Sequence, residues 1–294
     1  MIDISNSSSN ESFNEGGGSG RQIRSSEEIK RWSTMAGELF SSHELVWRLF
    51  VRDFAARYRQ TLLGVLWAVI MPLVVVGTFI FLNSSGVLNI GEIEIPYPAY
   101  ALVGLTFWQI FAGGIVNCSN SIVKAGTMVA KIKFPREALV VSSLGQTFVE
   151  TMVRAALVVL AFAYYQVVPA WTTVLLPLAV LPVILFTLGL GFFLSLINAV
   201  MRDVANVVNL LTTFLLFLTP VLYPEPKTEV FRVFTRFNPL APLVNGPRDL
   251  VIRGELSDPW GFTWASILAV LLFVVGWRFF YLAQMRMAER MGGR

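Results

Sequence analysis

From residue 62 onward, long uncharged runs alternate with short charged ones. The run from Leu62 to Leu82 carries no charge. At about 20 residues it has the length an α-helix needs to cross a hydrocarbon core of ~30 Å. Further apolar runs cover Tyr97–Val116, Leu139–Val168, Trp171–Val200, Val204–Leu222 and Phe262–Leu282. The pattern predicts an all-α polytopic membrane protein with six transmembrane helices. The runs are too long and too continuously apolar for a β-barrel, whose strands alternate over ~10 residues. Pro72 inside the first run is tolerable because neighbouring helices can satisfy the freed carbonyl. Pro177 and Pro182 are expected to kink the fourth.

Ahead of the first span, Glu44–Gln60 carries Glu44, Arg48, Arg52, Asp53, Arg57 and Arg59, interleaved with Leu45, Val46, Trp47, Leu49, Phe50, Val51, Phe54 and Tyr58. Polar positions recur about every four residues, as on one face of a helix. A cationic face opposed to a Trp/Phe/Leu face fits a helix lying in the membrane interface; the plainer alternative is an amphipathic helix packed on a cytosolic partner. Residues 1–29 are rich in Ser, Asn, Gly and Glu and lack the apolar core of a signal peptide, so they read as a disordered cytosolic tail. The expected organisation is this tail, an interface-helix region over 30–60, and a six-span permease domain over 61–294.

The loops orient the spans. Asn83–Tyr97 holds Glu92 and Glu94 and no Lys or Arg, whereas the segment after the second run holds Lys124, Lys131, Lys133 and Arg136. By the positive-inside rule the first lies outside and the second in the cytosol. Met201-Arg202-Asp203 is a short internal turn, and Glu225–Asp258 is the longest external stretch, with five acids and five bases. Within it, Phe237–Ile252 is apolar and carries Pro239, Pro242 and Pro247. It is too short to cross and too apolar for a free loop, so it reads as interfacial or re-entrant. Arg278 can snorkel from the last span, and Arg286, Arg290 and Arg294 follow it. Both termini are therefore expected in the cytosol. Ala112-Gly113-Gly114 in the second run are small enough for close helix contact.

Composition narrows the chemistry. The chain is 55% hydrophobic and 14% charged, against about 25% charged in soluble domains. The net charge of +4 reflects cytosolic loops rather than a nucleic-acid partner. Cys118 is the only cysteine and His43 the only histidine, too few for a zinc site or a nucleophilic triad within the spans. No phosphate-binding Gly-x-x-x-x-Gly-Lys-Ser/Thr or Gly-x-Gly-x-x-Gly pattern occurs. Inside the spans the clear ionisable groups are Glu150 and Arg154, four apart on one helix face in acid-first order. A mid-bilayer charge costs at least ~2.5–3.5 kcal/mol, so the two are expected to pair and face protein or water. With so few carboxylates in the spans, an ion-coupled carrier is disfavoured, and energy is expected from another subunit.

The residues Arg57-Tyr58-Arg59-Gln60-Thr61-Leu62-Leu63-Gly64-Val65-Leu66-Trp67-Ala68, Lys133-Phe134-Pro135-Arg136-Glu137, Arg202-Asp203-Val204, Thr219-Pro220-Val221-Leu222-Tyr223-Pro224 and Asn238-Pro239-Leu240-Ala241-Pro242 follow one another in the chain. In this order the sequence resembles the permease subunits of type-2 ABC exporters for polysaccharides, the group that exports O-antigen, capsule and teichoic acid chains. The resemblance implies a non-enzymatic, homodimeric permease in a bacterial cytoplasmic membrane. It also implies two ATPase subunits that hold ATP and magnesium, short external helices after the fifth span, and a lipid-linked glycan as cargo. Lys131, Lys133, Phe134, Pro135, Arg136 and Glu137 match the ATPase-coupling segment, and Arg52, Arg57, Tyr58 and Arg59 fall on the interface helix and gate. Trp67, Phe79, Phe81, Phe107, Trp108, Phe214, Phe217 and Tyr223 are candidates for stacking on sugar rings in a channel, or for core and lipid contact. A type-2 permease for a drug or small lipid-like compound, and a non-transporting scaffold, are the competing readings.

Overall fold

The computed structural model describes residues 37, 41–58, 66–86, 93–126, 134–224 and 234–292, with the backbone alone for 57–58 and 285–292. The chain divides into two units, Met1–Ser41 and Ser42–Arg294. The first contributes only Gly37 and Ser41 to the described residues, and every element below belongs to the second. The described residues form helices and no strands.

In chain order these are α1 (His43–Tyr58), α2 (Leu66–Ser84), α3 (Tyr97–Ser119), α4 (Ser121–Ala125), α5 (Glu137–Tyr165), a 3-10 helix (Trp171–Leu175), α6 (Leu176–Val200), α7 (Val204–Leu218), α8 (Leu240–Ile252) and α9 (Pro259–Gly292). By length and composition, five helices can cross a membrane: α2, α3, α5, the 3-10 helix with α6, and α9. The fifth apolar run forms α7, only 15 residues long, which rises about 22 Å. Chain beyond Leu218 is needed to complete a crossing, because Thr219 turns the backbone out of the helix.

The largely apolar α3 is the centre of the bundle. It is buried on all sides and packs against α2, α5, α6, α7 and α8. Such all-round hydrophobicity is what a helix enclosed by other helices requires. Proline placement refines the expectation for the fourth run. Pro177 stands in the first turn of α6, where its missing N–H is not needed and its fixed φ starts the helix. Pro182 lies inside the helix.

Close crossings occur where glycine removes the side chain. A Cβ on Gly189 of α6 would stand 2.7 Å from the Leu272 carbonyl and the Phe273 nitrogen of α9, and one on Gly276 would meet the Gly189 carbonyl. On α3, a Cβ at Gly114 would lie 2.6 Å from Thr187 and 3.1 Å from Leu144. The small-residue run at 112–114 therefore serves the close helix contact expected of it.

The Phe237–Ile252 stretch becomes mostly helical and sinks into the body as α8, with Leu243, Val244, Gly246, Pro247 and Val251 buried. Its last carbonyls are satisfied from the 3-10 region: Ala170 N–H donates to Val251 O at 2.9 Å, and Thr172 Oγ1 to Leu250 O at 2.6 Å. Gly254, at φ +87°, ends the helix and donates to Asp249 O, the left-handed exit that glycine makes cheaply.

Candidate functional site

Three surfaces carry the residues singled out in the sequence. The first is built on α1. Leu49 is buried against Ala125 at the end of α4 and Ala138 and Leu139 at the start of α5, with Leu45, Val46 and Phe134 packed beside them. Phe50 seats on Gly145, where any Cβ would collide with its ring. Much of the apolar face assigned to lipid is thus spent on the chain's own body, while Trp47 and Val51 stay exposed. Outward, Arg48 pairs with Glu44 and Arg52 with Asp53, each at 2.6 Å.

Of the coupling segment, Lys131 and Lys133 lie outside the described residues, as does Arg59, and the side chains of Arg57 and Tyr58 do too. Phe134, Pro135 and Arg136 are half-buried. Phe134 packs against the cluster under α1. Glu137 is buried and accepts a hydrogen bond from Gln284 of α9 at 2.5 Å. Its carboxylate therefore serves contacts within the chain rather than an outer face.

The second surface is a buried polar ladder between α3 and α5. Glu150 is buried and accepts from Gln109 Nε2 at 3.3 Å. Asn117 Nδ2 donates to Thr147 Oγ1 at 3.0 Å, and Lys124 Nζ approaches Asn117 Oδ1 at 3.5 Å. Asn198 of α6 joins at the same end, donating to Ser119 O at 2.9 Å and Asn120 Oδ1 at 3.2 Å. Arg154 is half-buried one turn beyond Glu150. Among the aromatics, Phe107 and Trp108 are 7% and 4% exposed and belong to the main core, where Trp108 meets Phe111 and Phe111 meets Phe186. They have no free ring face to offer a channel. Phe79 is half-buried against the same core. Trp67 and Phe81 project from α2, and Phe214 and Phe217 from α7.

α7 is the unusual helix. Val208 and Thr212 are its buried positions, and Leu215 packs on the core. At 100° per residue, Asn206, Asn209, Thr213 and Phe217 form a stripe on the other side, and all four are exposed. Two amides and a hydroxyl on the outer face of an apolar helix point to water or protein rather than lipid.

The third surface is a knot where α7 ends. Thr219, Val221 and Leu222 are buried, and Val221 O sits where a Cβ on Gly104 of α3 would be. Arg248 of α8, 5% exposed, donates from Nη1 to Pro220 O at 2.9 Å and lies over the Tyr100 ring at 4.5 Å. Tyr100 Oη reaches Tyr223 O at 3.5 Å, and Asn238 Nδ2 donates to Thr219 Oγ1 at 2.9 Å. Tyr223 donates back to Phe217 O.

Sequence reasoning missed the knot, the ladder partners Gln109, Asn117 and Asn198, and the α7 stripe. Signals existed for some of them: amides in otherwise apolar runs, and an Arg-Asp pair inside a proline-bounded apolar segment.

The sequence matches the ABC-2 type transporter family over residues 44–251. The chain belongs to that family. Among curated proteins it is similar to an O-antigen export system permease protein RfbA of Klebsiella pneumoniae, 28% identical over 244 residues that cover 81% of this chain and 91% of the relative. A Myxococcus xanthus protein of the same name is 30% identical over 229 residues, 75% of this chain and 85% of that one. This ABC-2 chain is a multi-pass membrane protein, and the match takes in nearly all of α1, the three surfaces apart from Gln284, and nearly all of α8. These relatives are named as permeases, not as enzymes.

Proposed function

We propose that this chain is the permease subunit of an ATP-driven exporter that moves a lipid-linked polysaccharide, of the O-antigen type, across a bacterial cytoplasmic membrane. The observation that carries the reading is the α7 face. It sets Asn206, Asn209 and Thr213 in line with Phe217, beside Phe214, on the side turned away from the core. A sugar polymer offers hydroxyls to amides and apolar ring faces to aromatics, so a polar stripe edged with Phe suits it better than a purely apolar wall. The names of the relatives support the same cargo class.

In this reading two copies enclose the channel, α7 completes the fifth crossing with the turn that follows it, and both termini are cytosolic. ATP and magnesium are held by two separate ATPase subunits. These engage residues 131–136, with Phe134 transmitting force through its contacts under α1. Residues 1–29 form a tail, 30–60 the α1 region and 61–294 the permease body. Glu150 and Arg154 act as a pair that stabilises α5 between α3 and the membrane.

A strain lacking this chain tests the proposal. It is expected to lose surface polysaccharide and accumulate lipid-linked glycan inside. Normal surface glycan in that strain, or accumulation of a small lipophilic compound instead, overturns it.

A further inference from the structure

α5 and α6 both pack along α3 but meet each other at few points. Between them lies a groove of about 690 Å³. Val103, Thr106 and Ile110 of α3 form its floor, and its walls lie along residues 144–162 of α5 and 176–184 of α6. The three helices converge at its closed end, where a Cβ on Gly114 would stand 2.6 Å from Thr187 and 3.1 Å from Leu144. Pro169 and Thr173, in the connection between α5 and α6, line the other end. Phe148, Met152 and Val159 on the α5 wall are exposed. Both walls belong to helices long and apolar enough to cross the membrane, so this open edge meets lipid rather than water.

The chemistry of the lining selects the occupant. Its four hydroxyls are engaged within the chain. Thr106 donates to Leu102 O at 2.7 Å, Thr151 to Thr147 O at 2.8 Å and Thr173 to Ala170 O at 2.6 Å, while Thr147 Oγ1 accepts from Asn117. A polar ligand would lose its hydration here with little to replace it. Size excludes a transmembrane helix. The groove runs about 27 Å along α5 and about 12 Å along α6, at 1.5 Å of rise per residue. Its mean cross-section therefore lies between about 25 and 60 Å², whereas a helix 10–12 Å across fills at least ~80 Å². A hydrocarbon chain is thin enough to enter, and it supplies the dispersion contacts that a void would forfeit.

The α6 wall is the first part of that helix, next to Trp171. The exposed rings of Tyr164, Tyr165 and Trp171 stand at this end. Amphipathic rings of this kind sit at headgroup level, so the chain descends from the leaflet on that side. No lining residue belongs to α7, which separates the groove from the face assigned to cargo.

We propose that this groove binds an acyl chain of a membrane phospholipid from the leaflet at the Tyr164–Trp171 end, retained as a wedge between α5 and α6. The site depends on membrane placement and not on what α7 carries.

The test uses the full-length protein, purified from membranes in mild detergent with its bound subunits. Native mass spectrometry and lipid extraction should find phospholipid retained with it. Ala155→Trp, which places a large ring in the groove from α5, should cause loss of that lipid while elution on size exclusion stays native; Val180→Phe does the same from α6. A second measurement needs no variant. The native protein in vesicles of phosphatidylethanolamine and phosphatidylglycerol is irradiated with a phospholipid that carries a diazirine in its acyl chain. Adducts should fall on 103–110 of α3, a helix that other helices otherwise enclose. Adducts confined to outward positions such as Leu268 and Leu271 of α9, retention undiminished in either folded variant, or recovery of an isoprenoid in place of phospholipid overturns the site. Those outcomes leave the export reading standing, whereas normal surface glycan in the deletion strain overturns export and leaves the adduct map intact.

Discussion

Replacing Gly189 by alanine is the sharpest structural test of how α6 and α9 are held. The added methyl would meet Leu272 C and O and Phe273 N, all at 2.7 Å. These are backbone atoms of a long helix, so no rotamer change can relieve them. Ordinary carbon contacts begin at about 3.5 Å, so the helices must separate by roughly 0.8 Å or shear along one another. Overpacking of a tight site costs typically 1–3 kcal/mol, and a backbone-on-backbone clash belongs at the upper end. By the scaling for chains of 150–250 residues, about 3 kcal/mol lowers the melting temperature by roughly 6–12 °C. Gly276→Ala faces the same crossing from the other side. Once one substitution has parted the helices the second has less to do, so the double variant should lose less than the sum. Thermal unfolding followed by size-exclusion chromatography in detergent measures all three. Gly77→Ala in α2, with nothing within 4 Å, is the control and should leave the melt unchanged or raise it. A Gly189→Ala melt equal to that of the native chain would refute the close crossing.

Gly145→Leu should unseat Phe50 and release α1 from α5, read as faster proteolysis within 43–58, while Phe50→Ala should loosen α1 without disturbing α5. Gln109→Leu removes a donor from buried Glu150 and should lower stability by about 1–3 kcal/mol, whereas Glu150→Gln should be milder because the amide can still accept from Gln109; equal losses would argue against the bond. Replacing Glu150 or Arg154 singly should cost more than replacing both, checked by a double-mutant cycle in which additive losses would show that they act independently. Arg253→Ala breaks an exposed bridge to Glu94 and should change the melting temperature hardly at all, since such pairs contribute about 0–1 kcal/mol.

The spans were legible because continuous hydrophobicity is a property of the segment itself. Leu66–Ser84 and Tyr97–Ser119 fall inside or within a few residues of the runs that announced them. The apolar character of α8 was legible for the same reason, as a proline-bounded segment too short to cross and read as interfacial or re-entrant; its burial in the body was not. What periodicity hides is which neighbour a residue meets. Phe107 and Phe217 are equivalent in sequence, yet one is enclosed by α3's neighbours and the other stands open on α7. Glu137 looked like a charge available to a partner and is bonded to Gln284, 147 positions away. Gly189 and Gly276 meet across 87 residues, and Arg248 joins Tyr100 and Pro220 only because α8 folds back between them. Nothing local marks such contacts. That Pro177 falls in the first turn of α6 depends on the 3-10 turn at Trp171–Leu175 that precedes it.

The central claim is that this chain, with its ATPase, carries a lipid-linked polysaccharide outward. The direct measurement is transport by the purified complex in proteoliposomes. A radiolabelled lipid-linked glycan is supplied on the face that exposes the ATPase, and appearance of the glycan on the opposite face is followed with and without ATP. The account predicts ATP-dependent appearance of intact glycan, reduced several-fold when Phe217 and Asn209 are both replaced by alanine, with ATP hydrolysis retained. A folded, ATP-hydrolysing complex that leaves the glycan on its original face would contradict it.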